Sequence, residues 1–445
     1  MSALAVVGGG VLGLVLARDL ARQGHRVTVL ESAGSPGGLA GTDSIGGYQW
    51  DRFYHVILQS DANLLGLLAE LGLSGSLRWG RTRTGFFANG RLHSLSSALD
   101  FARFPLAGPI GKARLAATIL YAARIRDWER LEAMPVAEWL SRCSGRKVFE
   151  QLWLPLLRSK LGEHWREASA AFIWAIIQRL YGARRSGLKT ERFGYVEGGY
   201  RRILAELVRS VEAEGVGIRC GSSVASVRRT DRCTRIELAD GGRVLADAAI
   251  LTVPCGRIAA LCPQLSPAEQ ARLRSVRYLG VACGTLLLRR PLAGYYVTNI
   301  TDPGLPFTGV IEMTALVDRA RFGGNTLVYL PRYLGSGDPV WERSDLELRG
   351  EFLAGLGRMF PGFDPADVVD FKLSRAREVL ALSTLHYSRD AMPAVGTSVP
   401  GLYVVNSAQI AAGTLNVNET LGVARAGARA LAGLLPSPRE SRAAA

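Results

Sequence analysis

The amino-acid sequence predicts an α/β protein, and three observations carry that expectation. Near the start a short apolar strand, Leu4 to Val7, runs into a glycine-punctuated loop. A stretch with helical periodicity follows, "VLGLVLARDLARQG", closed by Gly24. Directly after it "HRVTVLE" reads as a second strand ending in an acid, Glu31. Far along the chain, "GLYVVNSAQIAAGTLNVNETLGVARAGARALAGLL" from Gly401 has a β-branched strand, a polar loop and a long helix predicted to begin near Glu419.

At 445 residues the chain is too long for one compact core, so two or three domains are expected. Its 54 Lys and Arg against 39 Asp and Glu give a net charge of +15. The surplus is mostly arginine and scattered, with local clusters such as "GARRSGLK" from Gly182. That pattern suits a small-molecule substrate that is anionic, or an anionic membrane surface touched peripherally. It argues against nucleic acid, because neither a nucleic-acid-binding motif nor a continuous basic stripe accompanies it. Six cysteines (Cys143, Cys220, Cys233, Cys255, Cys262 and Cys283) lie far apart with no CxxC pair. They argue against a disulfide framework and against a metal site such as zinc, and favour a reducing, cytoplasmic compartment. The apolar N-terminus lacks a charged leader region and is broken by glycines, so it does not read as a signal peptide. "LAATILYAA" from Leu115 is too short to span a bilayer. The tail "PSPRESRAAA", residues 436–445, is expected to be disordered.

Gly8, Gly10 and Gly13 fit G-x-G-x-x-G. Gly8 permits a tight turn and Gly10 lets the backbone approach a phosphate. Gly13 lets the helix pack on the sheet, so that the N–H groups at its start, those of Val11 and Leu12 among them, point at a pyrophosphate. Glu31, followed by Ser32, falls about 20 residues after the glycines and can accept both hydroxyls of an adenosine ribose, which disfavours NADP. Strand, helix, second strand and acid in register predict a dinucleotide site rather than a bare turn. An NAD domain would run straight into another β-α-β unit here. Instead "ESAGSPGGLAGTDSIGGYQWDRFYH" makes a glycine-rich excursion with a second pair, Gly37 and Gly38, which suits a cofactor extending past the first loop.

These motifs resemble the superfamily of flavin amine oxidases, protoporphyrinogen oxidases and phytoene desaturases, to which UDP-galactopyranose mutase is related. The resemblance implies FAD as cofactor. In that family the second glycine pair lies along the FAD, and the arginine that usually follows it is Leu39 here. Later segments extend the likeness over most of the chain. "YVEGGYRRILAELVRSVEAEG" from Tyr195 is a Gly-Gly turn entering an amphipathic helix, and "VGIRCGSSVASVRR" reads as paired strands. In the family the residue matching Val224 meets the adenine through its backbone, and the strand "DAAILTVP", ending at Pro254, lies beside it. Where the family has Gly-Asp, this chain has Asn406 and Ser407, so Ser407 or Asn406 must make the ribityl or phosphate contact. The N–H groups of Thr420 and Leu421, at the start of the last predicted helix, would stabilise negative charge on the reduced flavin. The implied architecture is a discontinuous, Rossmann-like FAD/NAD(P)-binding domain of residues 1–78, 193–260 and 370–435. Inserted into it is a substrate domain of mixed sheet and helices, with a helical part at 79–192 and a sheet part at 261–369.

Three segments are candidates for the chemistry. "RFYH" supplies His55, Arg52 and Tyr54, where the family's chain passes the flavin, and loosely resembles the histidine-containing segment of UDP-galactopyranose mutase. A histidine titrating near neutrality could move a proton or hydrogen-bond the flavin, or simply pack. Asp51 and Arg52 could equally pair with each other. "WLPLLRSKLGEHWREASAAFIWAIIQRLYGARR" offers Arg158, Lys160 and Trp174, cations beside aromatics that suit an anionic head on a bulky substrate, or else a core stripe. Glu312, Tyr329, Arg332 and Arg375 sit on strand-like runs that would face the flavin in relatives; among them Tyr329 is a catalytic candidate. The sequence has no GxSxG, no HExxH and no P-loop lysine, so the chemistry is expected to rest on the cofactor. The reading is an FAD-dependent oxidoreductase moving hydride from an anionic or apolar substrate to flavin N5. The alternatives are a flavin-dependent isomerase acting on a nucleotide sugar or other anionic metabolite, and a non-catalytic FAD- or membrane-binding protein.

Overall fold

The computed structural model describes residues 1–105, 108–184 and 192–435. At its centre is a five-stranded parallel sheet whose spatial order is Leu402–Val404, Ala248–Leu251, Ala3–Val7, Arg26–Leu30 and Gly217–Arg219. Val6 lies opposite both Ile250 and Val29. Both faces of this sheet are covered, which is why its central strands are apolar throughout. On one side the helix Val11–Arg22 packs against Gly199–Ala213 and Val417–Ala432, burying Leu14, Leu207 and Leu421 together. On the other lie the antiparallel meander Val224–Arg229, Thr234–Leu238 and Arg243–Ala246 and the helix Cys255–Leu261.

A second, seven-stranded sheet runs in the order Val368–Ala381, Tyr278–Leu288, Thr326–Leu334, Gly309–Glu312, Val297–Ile300, Thr84–Ala88 and Arg91–Ser94. Its pairs are antiparallel except Val297–Ile300 beside Thr84–Ala88. Tyr278–Leu288 is buried along its whole length, and its side chains divide by the strand period of two. Val281, Cys283 and Leu287 face the hairpin of Thr42–Ile45 and Tyr48–Asp51, whereas Leu286 and Leu288 face the helix Asp345–Met359. A third layer is helical, with Pro109–Ala122, Val136–Ser144, Leu154–Leu161 and Ala170–Arg184 around Trp139, Leu140, Trp153 and Phe172.

The expected boundaries shift in three places. Residue 370, taken as the start of the last cofactor segment, falls inside Val368–Ala381, which pairs with Tyr278–Leu288 in the seven-stranded sheet; the chain rejoins the parallel sheet only at Leu402. The part expected to be helical, 79–192, contains Thr84–Ala88 and Arg91–Ser94, which close the edge of that same sheet. Gly217–Arg219 and Val224–Arg229 do not pair with each other. The chain turns at Gly221, φ +66°, and passes from the parallel sheet to the meander. The expected disordered tail and most of the basic cluster from Gly182 lie outside the described residues. Among the described residues no helix is long and apolar enough to cross a membrane. All six cysteines are unpaired.

Candidate functional site

A cavity of about 540 Å³ extends from the glycine loop to the space between the parallel sheet and the seven-stranded sheet. At its first end the helix Val11–Arg22 begins at Gly10 with no side-chain cap and no acid in its first turn. Leu14 is the first residue whose N–H is satisfied by the helix, donating to Gly10 O at 3.0 Å. Among the described residues the N–H groups of Leu12 and Gly13 have no protein partner, that of Val11 is turned toward Gly37 by the bridge joining Gly10 to Gly37, and all three residues line the cavity. Aligned donors at the positive end of a helix dipole make an anion site. Gly8 and Gly13 are sterically required. A Cβ on Gly13 would stand 2.0 Å from Gly8 O, and Gly8 itself has φ +114°.

Glu31 holds this loop in shape. One carboxylate oxygen accepts Gly9 N–H at 2.7 Å, and the other accepts Ala33 N–H at 2.8 Å and Ser32 Oγ–H at 3.3 Å. Both residues line the cavity, and each carboxylate oxygen retains lone-pair capacity for a further donor. The second glycine pair is pinned to the first loop, Gly37 N–H donating to Gly9 O at 2.8 Å. Gly37 and Gly38, at φ +128° and +58°, line the cavity together with Leu39, Val224 and Pro254.

At the second end the helix Val417–Ala432 starts two residues earlier than its sequence pattern suggests. Asn416 is its N-cap: Oδ1 accepts Glu419 N–H at 3.0 Å, and Thr420 N–H already donates to Asn416 O at 3.0 Å. The free donors are therefore Val417 and Asn418, not Thr420 and Leu421. Thr420 still lines the cavity, but Leu421 is fully buried in the core beneath the parallel sheet. The spacing of Asn416 and Glu419 was a legible capping signal. Asn406 is also corrected. It is buried, with Oδ1 accepting Ala408 N–H and Nδ2 donating to Val253 O at 2.8 Å, so it fastens the loop while Ser407 faces the cavity.

The remaining wall comes from Phe53–Val56, Lys160, Arg179, Tyr200, Val281 and Tyr333. Tyr54 and Tyr333 share a hydroxyl–hydroxyl bond of 3.0 Å. The His55 ring lies 4.5 Å from that of Tyr200, and its Nδ1 is buried without a partner. Burial pushes its pKa down to about 4, so His55 is neutral at neutral pH, contrary to the expectation that it titrates there. Lys160 reaches over the Tyr333 ring at 5.6 Å, and burial followed by repulsion from Arg179 pushes it down to about 8. Arg179 contacts Asp61 at 3.3 Å.

Other expected site residues lie elsewhere, each for a local reason. Arg52 pairs with Asp43 at 3.1 Å rather than with Asp51. Asp51 is buried and accepts Tyr200 N–H at 2.8 Å; burial raises it to about 7. Tyr329 is fully buried and donates to Asp51 O at 2.6 Å, one stretch of strand short of the cavity that Tyr333 reaches. Arg332 projects from the opposite face of that strand to Glu351 at 3.1 Å. Arg158 is half-exposed beside Trp165, because two helical positions separate it from Lys160 by more than a half-turn. Trp174 belongs to the helical core. Glu312 is buried, accepting N–H groups of Ala293 and Gly294. Arg375 pairs with Asp345 and Arg343 O. Arg179, Tyr200 and Tyr333 were not singled out from the sequence. Only Tyr333 carried a signal, the period-two alternation it shares with Tyr329.

A glycine loop on a parallel sheet, a second helix start facing the same cavity and a mixed sheet forming its far wall make up an α/β oxidoreductase scaffold. Residues 13–416 match the family of flavin containing amine oxidoreductases, and the chain belongs to that family. Its cofactor is accordingly a flavin. A coproporphyrinogen III oxidase of Mycobacterium tuberculosis (strain ATCC 25618 / H37Rv) is 29% identical over 291 residues, 61% of this chain and 63% of the relative. The chain thus spans less than two thirds of that relative's length. A phytoene desaturase of Cercospora nicotianae is 26% identical over 290 residues, 55% of this chain and 44% of the relative. Among solved structures, a protein of Exiguobacterium sp. 255-15 assigned provisionally as a protoporphyrinogen oxidase superposes with a TM-score of 0.75 at 19% identity. The match covers 97% of this chain and 98% of that one, and speaks for the fold.

Proposed function

We propose that this protein is an FAD-dependent oxidoreductase that withdraws hydride from a small, largely apolar substrate bearing an anionic group. The observation that carries the reading is one continuous cavity bordered by two helix starts whose N–H groups, at Leu12–Gly13 and at Val417–Asn418, have no protein partner among the described residues. The residues present fit the cofactor. The first helix start, lacking any acid, would take the diphosphate. Glu31 would take the adenosine ribose and repel a 2′-phosphate. The backbone of Gly37 and Gly38 would border the chain between. The second helix start would favour negative charge on the flavin. When bound, FAD would supply two-electron redox chemistry, with oxygen or another acceptor as the final oxidant.

The chain's own side chains bind and orient. Tyr54 and Tyr333, locked to each other, and Val281 make a dry wall that excludes water from the reacting bond. Neutral His55 is braced on Tyr200, with its Nδ1 enclosed by protein away from the chamber. The matched relatives are named for an oxidation and a desaturation, which disfavours the isomerase alternative.

Purified protein should retain or take up one FAD per chain. Anaerobic photoreduction followed by air should reoxidise it within seconds if oxygen is the acceptor; slow reoxidation assigns the electrons to another acceptor. Folded protein that takes up no FAD would overturn the reading.

A further inference from the structure

We propose that Lys160 and Arg179 form a two-cation subsite in the cavity that takes a carboxylate of the substrate. This deepens, and rests on, the oxidoreductase reading above. The two residues come from different helices, Leu154–Leu161 and Ala170–Arg184, yet both line the same cavity. Their mutual repulsion, which helps lower Lys160, places their charges in one poorly solvated space.

The charges there do not balance. Asp61 is the acid beside Arg179, and its Oδ2 is shared between that guanidinium at 3.3 Å and Leu58 N–H at 2.9 Å. The Lys160 ammonium has no carboxylate partner among the described residues; its recorded neighbour is the face of Tyr333. Arg179 Nε is buried with no acceptor. Two cations against one neighbouring acid, Asp61, leave one positive charge without a carboxylate partner among the described residues in a part-buried pocket, together with unspent donors on both side chains. Such a site is completed by an anion that accepts from both. The same cavity is also lined by Phe53, the Tyr54–Tyr333 pair, Val281, Val379 and Leu415, while a further acid, Glu378, stands near Arg257, so the ligand that fits the two cations has an acid terminus on an apolar body. Arg158, two residues from Lys160 and half-exposed, has no such setting.

The test is a calorimetric titration of FAD-loaded protein with phenylacetate and octanoate, and with phenylacetamide and octanol as neutral counterparts. Each acid should bind at least about ten-fold more tightly than its counterpart, a difference of about 1.4 kcal/mol. Lys160→Gln and Arg179→Gln should each remove about ten-fold from acid binding, with neutral binding and FAD content unchanged. Arg179→Lys should recover part of the loss. Acids and neutral analogues binding alike to the unsubstituted protein would overturn the proposal without needing a variant that folds. It is also overturned if the substitutions shed FAD and spare acid binding, which would assign the cations to the cofactor. Should the protein take up no FAD, the same titration on the cofactor-free chain still tests the subsite, so the two failures are separable.

Discussion

The two ends of the cavity are built from different materials. The glycine-loop end is mainly backbone: N–H groups of Val11, Leu12 and Gly13, turns at Gly8 and Gly37, and one carboxylate, Glu31, that braces the loop. The opposite end has one backbone element, the helix start at Val417–Asn418, and is otherwise side chain, with Tyr54, Lys160, Arg179 and Tyr333 brought in from segments far apart in sequence. A backbone site tolerates almost no added volume but is indifferent to most neighbouring residues. A side-chain site can be retuned one residue at a time while the scaffold stays unchanged.

Gly13→Val is the strongest attempt to break that comparison. With a Cβ at 2.0 Å from Gly8 O, loop and helix must separate, and FAD retention should fall by more than about 100-fold, or the chain fail to fold. Absorbance of the purified variant reads the first outcome and circular dichroism the second. Unchanged FAD binding would mean the loop is not a phosphate cradle. Glu31→Gln keeps the shape and removes the charge. It should weaken FAD by about ten- to a hundred-fold in a fluorescence titration, in line with about 1.5–3 kcal/mol for hydrogen bonds to a charged group.

Asp51, which is outside the cavity, sharpens the contrast through pH. Its pKa rises from 3.8 unfolded to about 7 folded, so above pH 4 the folded state holds a proton that the unfolded chain has released. Its contribution is fully present below pH 4 and is lost as pH climbs through 7. The Tm should therefore fall steadily from about pH 4 to pH 7 and level off above that. Asp51→Asn should flatten that drop and recover of the order of 1–2 kcal/mol at pH 8, since each pKa unit is worth about 1.4 kcal/mol. A thermal melt series checks it, and an unaltered slope would refute it. The smallest effect separates two tyrosines on one strand. Tyr329→Phe should cost about 1 kcal/mol of stability through its lost bond to Asp51 O and leave turnover intact, whereas Tyr333→Phe should change turnover with little effect on melting.

The same contrast explains what could be read in advance. Gly8, Gly10, Gly13 and Glu31 were legible because glycine spacing reports backbone geometry directly, and backbone geometry is local. Lys160 could be suspected but not separated from Arg158, because which of them faces inward depends on how one helix rotates against a distant sheet. Tyr329 and Tyr333 share a strand face, and only the position of the hairpin Thr42–Asp51 decides which is covered. The boundary at residue 370 fell inside the strand Val368–Ala381 for a related reason. The segment's alternating pattern states that it is a strand, but not which neighbour it joins.

The order of strands in the parallel sheet has a consequence for how the protein is made. Ala3–Val7 is the middle strand, yet its sheet is completed only by Ala248–Leu251 and then Leu402–Val404, far later in the sequence. The nascent chain must therefore keep an apolar edge waiting while several hundred residues emerge, a topology that folds slowly and exposes that edge to misassociation. Where the cofactor spans both helix starts, as proposed above, its capture would wait for the helix Val417–Ala432 to dock on the helix Val11–Arg22 and would come late in folding.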